Sequence, residues 1–153
     1  MTTETAESAK ARFSYRSWPF YWLTRAHGRY LANMEEALRP TGLDAPRWRV
    51  LMTLHEDNRA SVSEIAEHSN TKLSTMAKIV HRMAADDLVA CNLRPADARV
   101  TEVTLTRAGE RAGDEAWRAA NVVYERAFRG LTRAEMATLN RLLEKVADNL
   151  KLD

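Results

Sequence analysis

The hydrophobic positions between Ser61 and Thr106 follow a helical period first and a strand period afterwards. From Lys72 to about Ala85, apolar residues recur at the spacing of one buried helix face. These are Met76, Ile79, Val80 and Met83. The opposite face carries hydroxyl and basic side chains, at Thr71, Thr75, Lys78 and Arg82. The segment is therefore predicted to be an amphipathic helix with a polar face turned outward.

A shorter helix is predicted just before it, from Ser61 to about His68. Ser61 and Glu64 have the spacing of a capping box, in which two residues satisfy each other's backbone N–H groups at a helix start. The inner face of this helix is formed by Val62, Ile65 and Ala66. Asn70 then stands where the connection needs a residue that tolerates a left-handed backbone. Together the two segments predict a helix-turn-helix.

After Asp87 the apolar positions alternate, which is the period of a strand with one covered face. The covered positions are expected at Val89, Cys91, Leu93, Thr101, Val103 and Leu105. The connection Pro95-Ala96-Asp97-Ala98 contains turn-forming Pro and Asp and lies between Arg94 and Arg99. A β-hairpin with a basic tip is predicted, in which Asp97 holds a neighbouring guanidinium by a bidentate contact.

Local charge is more informative here than the charge of the whole chain. The 153 residues include 23 basic and 21 acidic ones, so the formal net charge is only +2. Between Ser69 and Ala85, however, there is no Asp or Glu. An acid-free helix face suits a groove lined with phosphates. A basic amphipathic helix alone is usually just a solvated surface, but two helices followed by a basic-tipped hairpin predict a winged helix-turn-helix that binds duplex DNA.

The predicted DNA contacts lie on the second helix and on the hairpin, or wing. They are Thr71, Lys72, Ser74, Thr75, Lys78 and Arg82 on the helix, and Arg94 and Arg99 on the wing. An arginine at a wing tip can enter the minor groove, where negative potential is concentrated.

The terminal segments carry apolar stripes that such a small DNA-binding module cannot cover. One helix is predicted to begin at Trp18 or Pro19, capped by Ser17. Its stripe consists of Leu23, Ala26, Tyr30, Leu31, Met34 and Leu38.

The next helix is expected to be capped by Asp44. A long, Ala-rich helix is predicted from Thr106 to about Gly130, and a last helix, capped by Thr132 with Glu135, has a near-heptad stripe at Met136, Leu139, Leu142, Leu143, Val146 and Leu150.

These stripes favour the pairing of two chains, although a monomeric helical bundle is the alternative. The chain is interpreted as a single domain over residues 1–153. Residues 12–40 and 107–153 are assigned to dimerisation helices, and residues 44–106 to the winged helix-turn-helix. The predicted fold class is mainly α with a small β-hairpin wing: a winged helix-turn-helix plus a helical dimerisation domain.

Several of these motifs resemble the MarR family of bacterial regulators. The matching residues are Gly42 to Leu51, Ile65-Ala66-Glu67, Ser74-Thr75, Arg82, Leu88-Val89, Asp97-x-Arg99 and Leu105-Thr106-x-x-Gly109. Three positions depart from the family pattern. Ser69 replaces a larger apolar residue, Lys72 a hydroxyl cap, and Asp87 the glycine that usually ends the recognition helix. Two paired recognition helices would bind the half-sites of an inverted-repeat operator, so a homodimer is expected. Repression is expected because a dimer lying across a promoter excludes polymerase.

The resemblance also implies a ligand cleft between the dimer helices and the DNA-binding module, often occupied by aromatic acids. In this sequence Trp18, Tyr21 and Trp22 are suited to stack on a ring. A carboxylate could pair with Arg16, Arg25, His27 or Arg47. The expected effector is therefore a small aromatic carboxylate that releases the protein from DNA. Alternatively, these aromatic residues belong to the core and the arginines are simply exposed.

Other classes of function find less support. Cys91, the single cysteine, makes a redox-responsive regulator one alternative, but its predicted place on the covered strand face favours an inert thiol. A helical protein-interaction module without specific DNA binding is another alternative.

The four histidines lie on separate predicted elements, so no metal or cofactor site is expected. No nucleophile with an adjacent base and no phosphate-binding glycine loop is found, so no catalysis is expected.

The location of the protein is predicted from its bulk properties. No apolar run approaches the ~20 residues of a membrane span, and the N-terminus has no hydrophobic signal region. One cysteine cannot form an internal disulfide, which fits a reducing compartment. A cytoplasmic protein without membrane association is expected.

Overall fold

The computed structural model describes residues 14–151, which form six α-helices and a small antiparallel sheet. The helices are α1 Pro19–Leu38, α2 Ala45–Asp57, α3 Val62–His68, α4 Leu73–Ala85, α5 Arg107–Ala127 and α6 Arg133–Asn149. The strands are β1 Arg59–Ser61, β2 Val89–Arg94 and β3 Asp97–Leu105. Residues 12, 13, 152 and 153, the ends of the predicted dimerisation segments, lie outside the described residues. None of the described helices is both long and apolar enough to cross a bilayer.

Most of the predicted helix starts are confirmed by their capping contacts. The Asp44 carboxylate accepts the N–H of Arg47 at 2.9 Å, and α3 and α6 each begin with a complete capping box. The predicted start of α1 at Pro19 is confirmed, but its predicted cap was wrong. Ser17 does not cap α1, because its hydroxyl donates to the carbonyl of Ser14 within a preceding 3₁₀ turn, and Trp18 occupies the cap position.

The sheet contains a strand that the periodicity did not predict. Its order is β1-β3-β2, and in it Ala60 of β1 lies opposite Val103 of β3. The three residues of β1 are too few to show an alternating pattern, and their pairing depends on a distant segment. The hairpin turn is also shorter than predicted, since only Pro95 and Ala96 lie outside the strands.

The prediction that one whole face of the hairpin is covered was wrong. Val89 and Val103 are buried, but Cys91, Leu93 and Thr101 are exposed. The physical reason is that the hairpin is longer than the core beneath it. Only its base, near Val89 and Val103, is buried in the hydrophobic core.

A single hydrophobic core holds α4 in place. It includes the end of α1, the inner faces of α2 and α3, the base of the hairpin and part of α5. The predicted apolar face of α4 is its central layer, since Met76, Ile79, Val80 and Met83 are at most 6% exposed.

Contacts divide the chain into two compact units between Val123 and Tyr124. The first unit contains the core and the sheet. The second contains the end of α5 and all of α6, and no residue of α6 is buried. Large apolar side chains therefore remain exposed on α6 and at its C-cap, namely Leu142, Leu143 and Val146 on the helix and Leu150 at the cap.

Candidate nucleic-acid interface

The polar face of α4 is exposed along its whole length. Because the apolar face is fixed in the core, Ser74, Thr75, Lys78 and Arg82 all point away from it and are exposed. Lys72 occupies the N-cap position with an extended backbone, and its side chain makes no capping hydrogen bond. The first-turn N–H groups of α4 are therefore not satisfied by a side-chain cap, which favours an approaching phosphate.

The turn before α4 has the predicted backbone geometry. Asn70 has a φ of 48°, in the left-handed region. Thr71 is half-buried, and its hydroxyl donates to the carbonyl of Ser69 at 3.1 Å. The predicted contact of Thr71 with DNA stays a prediction, and in the free protein its hydroxyl is used within the turn.

The wing tip presents one arginine in a fixed orientation. Arg99 donates from Nε to Oδ1 of Asp97 at 3.0 Å and from Nη2 to Oδ2 at 3.2 Å. The predicted bidentate contact is thereby confirmed. These hydrogen bonds lower the pKa of Asp97, so its carboxylate is ionised at neutral pH. The side chain of Arg99 is nevertheless 90% exposed, so its guanidinium is held in place but open to a partner.

Arg94, the second predicted wing contact, has partners within its own chain. Its Nε donates to Glu102 at 3.2 Å and its Nη2 donates to Glu64 at 3.3 Å. Its side chain is 33% exposed, far less than that of Arg99. Its contact with DNA stays a prediction. In the sequence only their opposite charge links these two carboxylates to Arg94, so this contact was not predicted.

Most of the predicted ligand-binding residues lie near the start of α1. The indole N–H of Trp22 donates to the carbonyl of Arg16 at 2.8 Å, and the guanidinium of Arg25 lies 5.4 Å from the centre of the Tyr21 ring. Trp18 and Trp22 are more than half exposed, so they do not belong to the core of the described chain. Their role in ligand binding stays a prediction.

The other two predicted ligand residues lie apart from that group. His27 lies further along α1, with its ring 6.3 Å from that of Tyr30. Arg47 on α2 contacts the carboxylates of Asp44 at 3.3 Å and Asp86 at 3.8 Å. It also donates to the carbonyl of Gly42 at 2.9 Å. The structure thus shows Arg47 joining the start of α2 to the end of α4.

A cavity of about 630 Å³ lies between α2 and α5, lined by none of the seven predicted ligand residues. Its walls include the rings of Trp48 and Trp117, whose centres are 6.1 Å apart. The full lining is Trp48, Leu51, Met52, Leu54, His55, Glu56, Asn58, Leu105, Glu110, Gly113, Asp114 and Trp117. The sequence contained a weak signal for this cavity, since Trp48 and Trp117 stand on helices predicted to pack on the core. Nothing in the pattern of either helix indicated that the two tryptophans would meet.

Cys91 lies on the exposed part of the wing, which corrects the prediction of a covered thiol. Desolvation around its sulfur still raises the pKa of the thiol, so less of the reactive thiolate is present at neutral pH. The low reactivity of this thiol therefore comes from its raised pKa and not from a covered strand face.

Known proteins match both the sequence and this geometry. The sequence model of the MarR family matches residues 43–101. The chain is 45% identical over 145 residues to the HTH-type transcriptional repressor IacR of Pseudomonas putida, an alignment that covers 95% of this chain and 87% of that protein.

Two solved structures have the same fold. A MarR-family transcriptional regulator from Silicibacter pomeroyi matches with a TM-score of 0.83 and 24% identity, over 94% of this chain and 97% of that one. BpsR of Bordetella bronchiseptica, whose DNA binding is regulated by 6-hydroxynicotinic acid, matches with a TM-score of 0.73 and 28% identity, over 83% of this chain and 96% of that one.

Proposed function

The chain belongs to the MarR family of transcriptional regulators, and we propose on this basis that it is a homodimeric repressor released from its operator by a small aromatic acid. The proposal that the protein binds DNA is supported chiefly by the exposed, acid-free face of α4 beside a wing that holds Arg99 outward. Lys72, Ser74, Thr75, Lys78 and Arg82 are proposed to enter the major groove or contact its phosphates. Thr71 is proposed to join them once the turn meets DNA.

A dimer would give this interface its specificity. Two copies of α4 placed about one helical turn of DNA apart, ~34 Å, match the half-sites of an inverted repeat. The exposed apolar residues of α6 and the exposed aromatic residues of α1 support pairing of two chains, because monomers rarely leave so many large apolar side chains in water. A dimer lying across a promoter excludes polymerase without further contacts, which fits the repressor IacR as a relative.

Arg99→Ala is expected to weaken operator binding by about 1–3 kcal/mol, because the side chain is open to the minor groove and already oriented by Asp97. The operator is first selected from a random-sequence duplex pool, and affinities are then measured by electrophoretic mobility shift. Arg99→Lys is the matched control: it keeps the charge but not the planar fork, so we expect an intermediate affinity. Undiminished affinity in Arg99→Ala would refute the role of the wing.

An aromatic effector is supported by the cavity between α2 and α5. Its volume of about 630 Å³ lies within the usual range of small-molecule sites, roughly 300–1,000 Å³. The side chains of Trp48 and Trp117 offer adjoining aromatic surfaces in its wall, against which a flat ring could pack. BpsR, with the same fold, responds to a hydroxylated nicotinic acid. Among the lining residues, the ring N–H of His55 can donate a hydrogen bond to a carboxylate, whereas Glu56, Glu110 and Asp114 cannot.

Titration calorimetry with benzoate-, cinnamate- and nicotinate-type acids tests this proposal. We expect at least one acid to bind and to release the operator. Trp117→Ala is expected to weaken that binding roughly tenfold or more, because it removes one wall of the ring site. Trp22→Ala is the control, because Trp22 lies at the start of α1, the location of the effector that the sequence predicted. If Trp22→Ala alone weakens binding, the effector lies at the start of α1 as the sequence suggested. If no acid binds, the effector class is wrong.

A further inference from the structure

Arg94 connects three elements of the DNA-binding module. It is the last residue of β2, and its guanidinium reaches Glu102 on β3 and Glu64 in the first turn of α3. Glu64 in turn accepts the backbone N–H of Ser61 at 2.6 Å as part of the α3 capping box. We call Arg94, Glu64 and Glu102 the wing clamp.

The clamp is partly shielded from water. The side chain of Glu102 is 16% exposed and that of Arg94 is 33% exposed, while Glu64 is about half exposed. Arg59 of β1 approaches the second oxygen of Glu102 at 3.9 Å. Hydrogen bonding from Ser61, aided by the charge of Arg94, lowers the pKa of Glu64 and keeps it ionised. A shared, partly buried cation between two carboxylates holds its geometry better than an isolated surface pair does.

The clamp lies where the wing would otherwise bend. The register of the hairpin shifts between Leu93 and Arg94, where Leu93 pairs with Thr101 and Arg94 pairs with Asp97. An irregularity at this point loosens the ladder and allows the tip to change direction. Asp97, the residue opposite Arg94, is the one that orients Arg99. Contacts therefore run without a break from α3 through Arg94 and Asp97 to Arg99.

We infer that Arg94 is a positioning residue that fixes the wing tip against the helix-turn-helix and so sets where Arg99 stands relative to α4. Its consequence for DNA rests on the proposed function, whereas the clamp itself does not. A wing already held in place does not have to be ordered during binding, so more of the contact energy appears as affinity.

The clamp is first tested in the free protein by amide hydrogen exchange. Arg94→Gln removes both ion pairs and is expected to speed exchange in residues 97–101 several-fold, while exchange in α4 is unchanged. Glu102→Gln is expected to do the same. Glu67→Gln is the control, because Glu67 is an exposed carboxylate on α3 that takes no part in the clamp. Unchanged exchange at the wing in both clamp variants would overturn the inference, whether or not the protein binds DNA.

The salt dependence of operator binding then separates positioning from contact. Arg94→Gln is expected to weaken binding about five- to tenfold with an unchanged slope of log affinity against log salt. If Arg94 instead neutralised a phosphate, its removal would reduce the magnitude of that slope by about 0.9. Glu102→Gln is expected to weaken binding to a similar extent, although it removes a negative charge from a DNA-binding surface. Tighter binding by Glu102→Gln would show that this carboxylate acts on DNA by charge repulsion rather than by holding the wing. A flatter slope in Arg94→Gln would show that Arg94 contacts a DNA phosphate directly. Either result would overturn the inference.

Discussion

Gly109→Ala is expected to destabilise the fold by about 3 kcal/mol, although alanine is the better helix former. Gly109 lies in the first turn of α5, against the backbone that follows α4. A Cβ at this position would overlap the carbonyl oxygen of Leu88 and lie 2.9 Å from its carbonyl carbon. That oxygen also accepts the N–H of Thr106 at 3.2 Å. The obstacle is main chain, so relieving it means moving α5 away from the end of α4.

The same helix provides a matched control. Gly113→Ala adds the identical group one turn later, where a Cβ would meet nothing within 4 Å. It is expected to stabilise the protein by about 0.5–1 kcal/mol, the usual gain on replacing glycine inside a helix. Chemical denaturation at one fixed protein concentration measures both variants, because the stability of a dimer depends on concentration. Equal effects of the two substitutions would show that the close approach at Gly109 is absent in solution.

Leu143→Glu is expected to convert the protein to a monomer and to lower operator affinity about 100-fold or more. Leu143 lies within the exposed apolar stripe of α6, where pairing of two chains is proposed. A glutamate there would be buried without a partner in both copies, which costs several kcal/mol. Each monomer would then hold one half-site alone and forgo the gain from binding two linked sites.

Ala137→Glu is the control for this substitution. It adds the same charge to α6 at an exposed position on the face opposite the stripe. Analytical ultracentrifugation gives the oligomeric state, and circular dichroism checks that α6 remains helical. If Leu143→Glu stays dimeric, or if the unmodified protein is a monomer, the assignment of α6 to the dimer interface is wrong.

Contacts between residues close in sequence were well predicted. Ser61 with Glu64, Thr132 with Glu135, and Asp97 with Arg99 are separated by two or three residues, and each makes the predicted hydrogen bonds. The conformation of one turn or one helix start depends mainly on such neighbours, so the residue types suffice to predict it. The left-handed backbone at Asn70 was predicted for the same reason.

Contacts between distant segments were not predicted. Arg94 is 30 residues from Glu64, yet the two side chains meet in a hydrogen bond that no local pattern indicated. Trp48 and Trp117 line one cavity from helices that periodicity treats separately. The exposure of Cys91 depends on how far the core extends beneath the wing, which is a property of the packed helices rather than of the strand.

By itself, the sequence determined the helices and their starts, the hairpin, and the face of α4 that is polar and free of acids. These follow from periodicity and from hydrogen bonds a few residues long. Only the tertiary structure decided which basic side chains remain free to contact a partner and where an apolar ligand could enter. Both depend on which carboxylates and which aromatic rings folding brings together across the chain, and a linear pattern of residue types does not contain those distances.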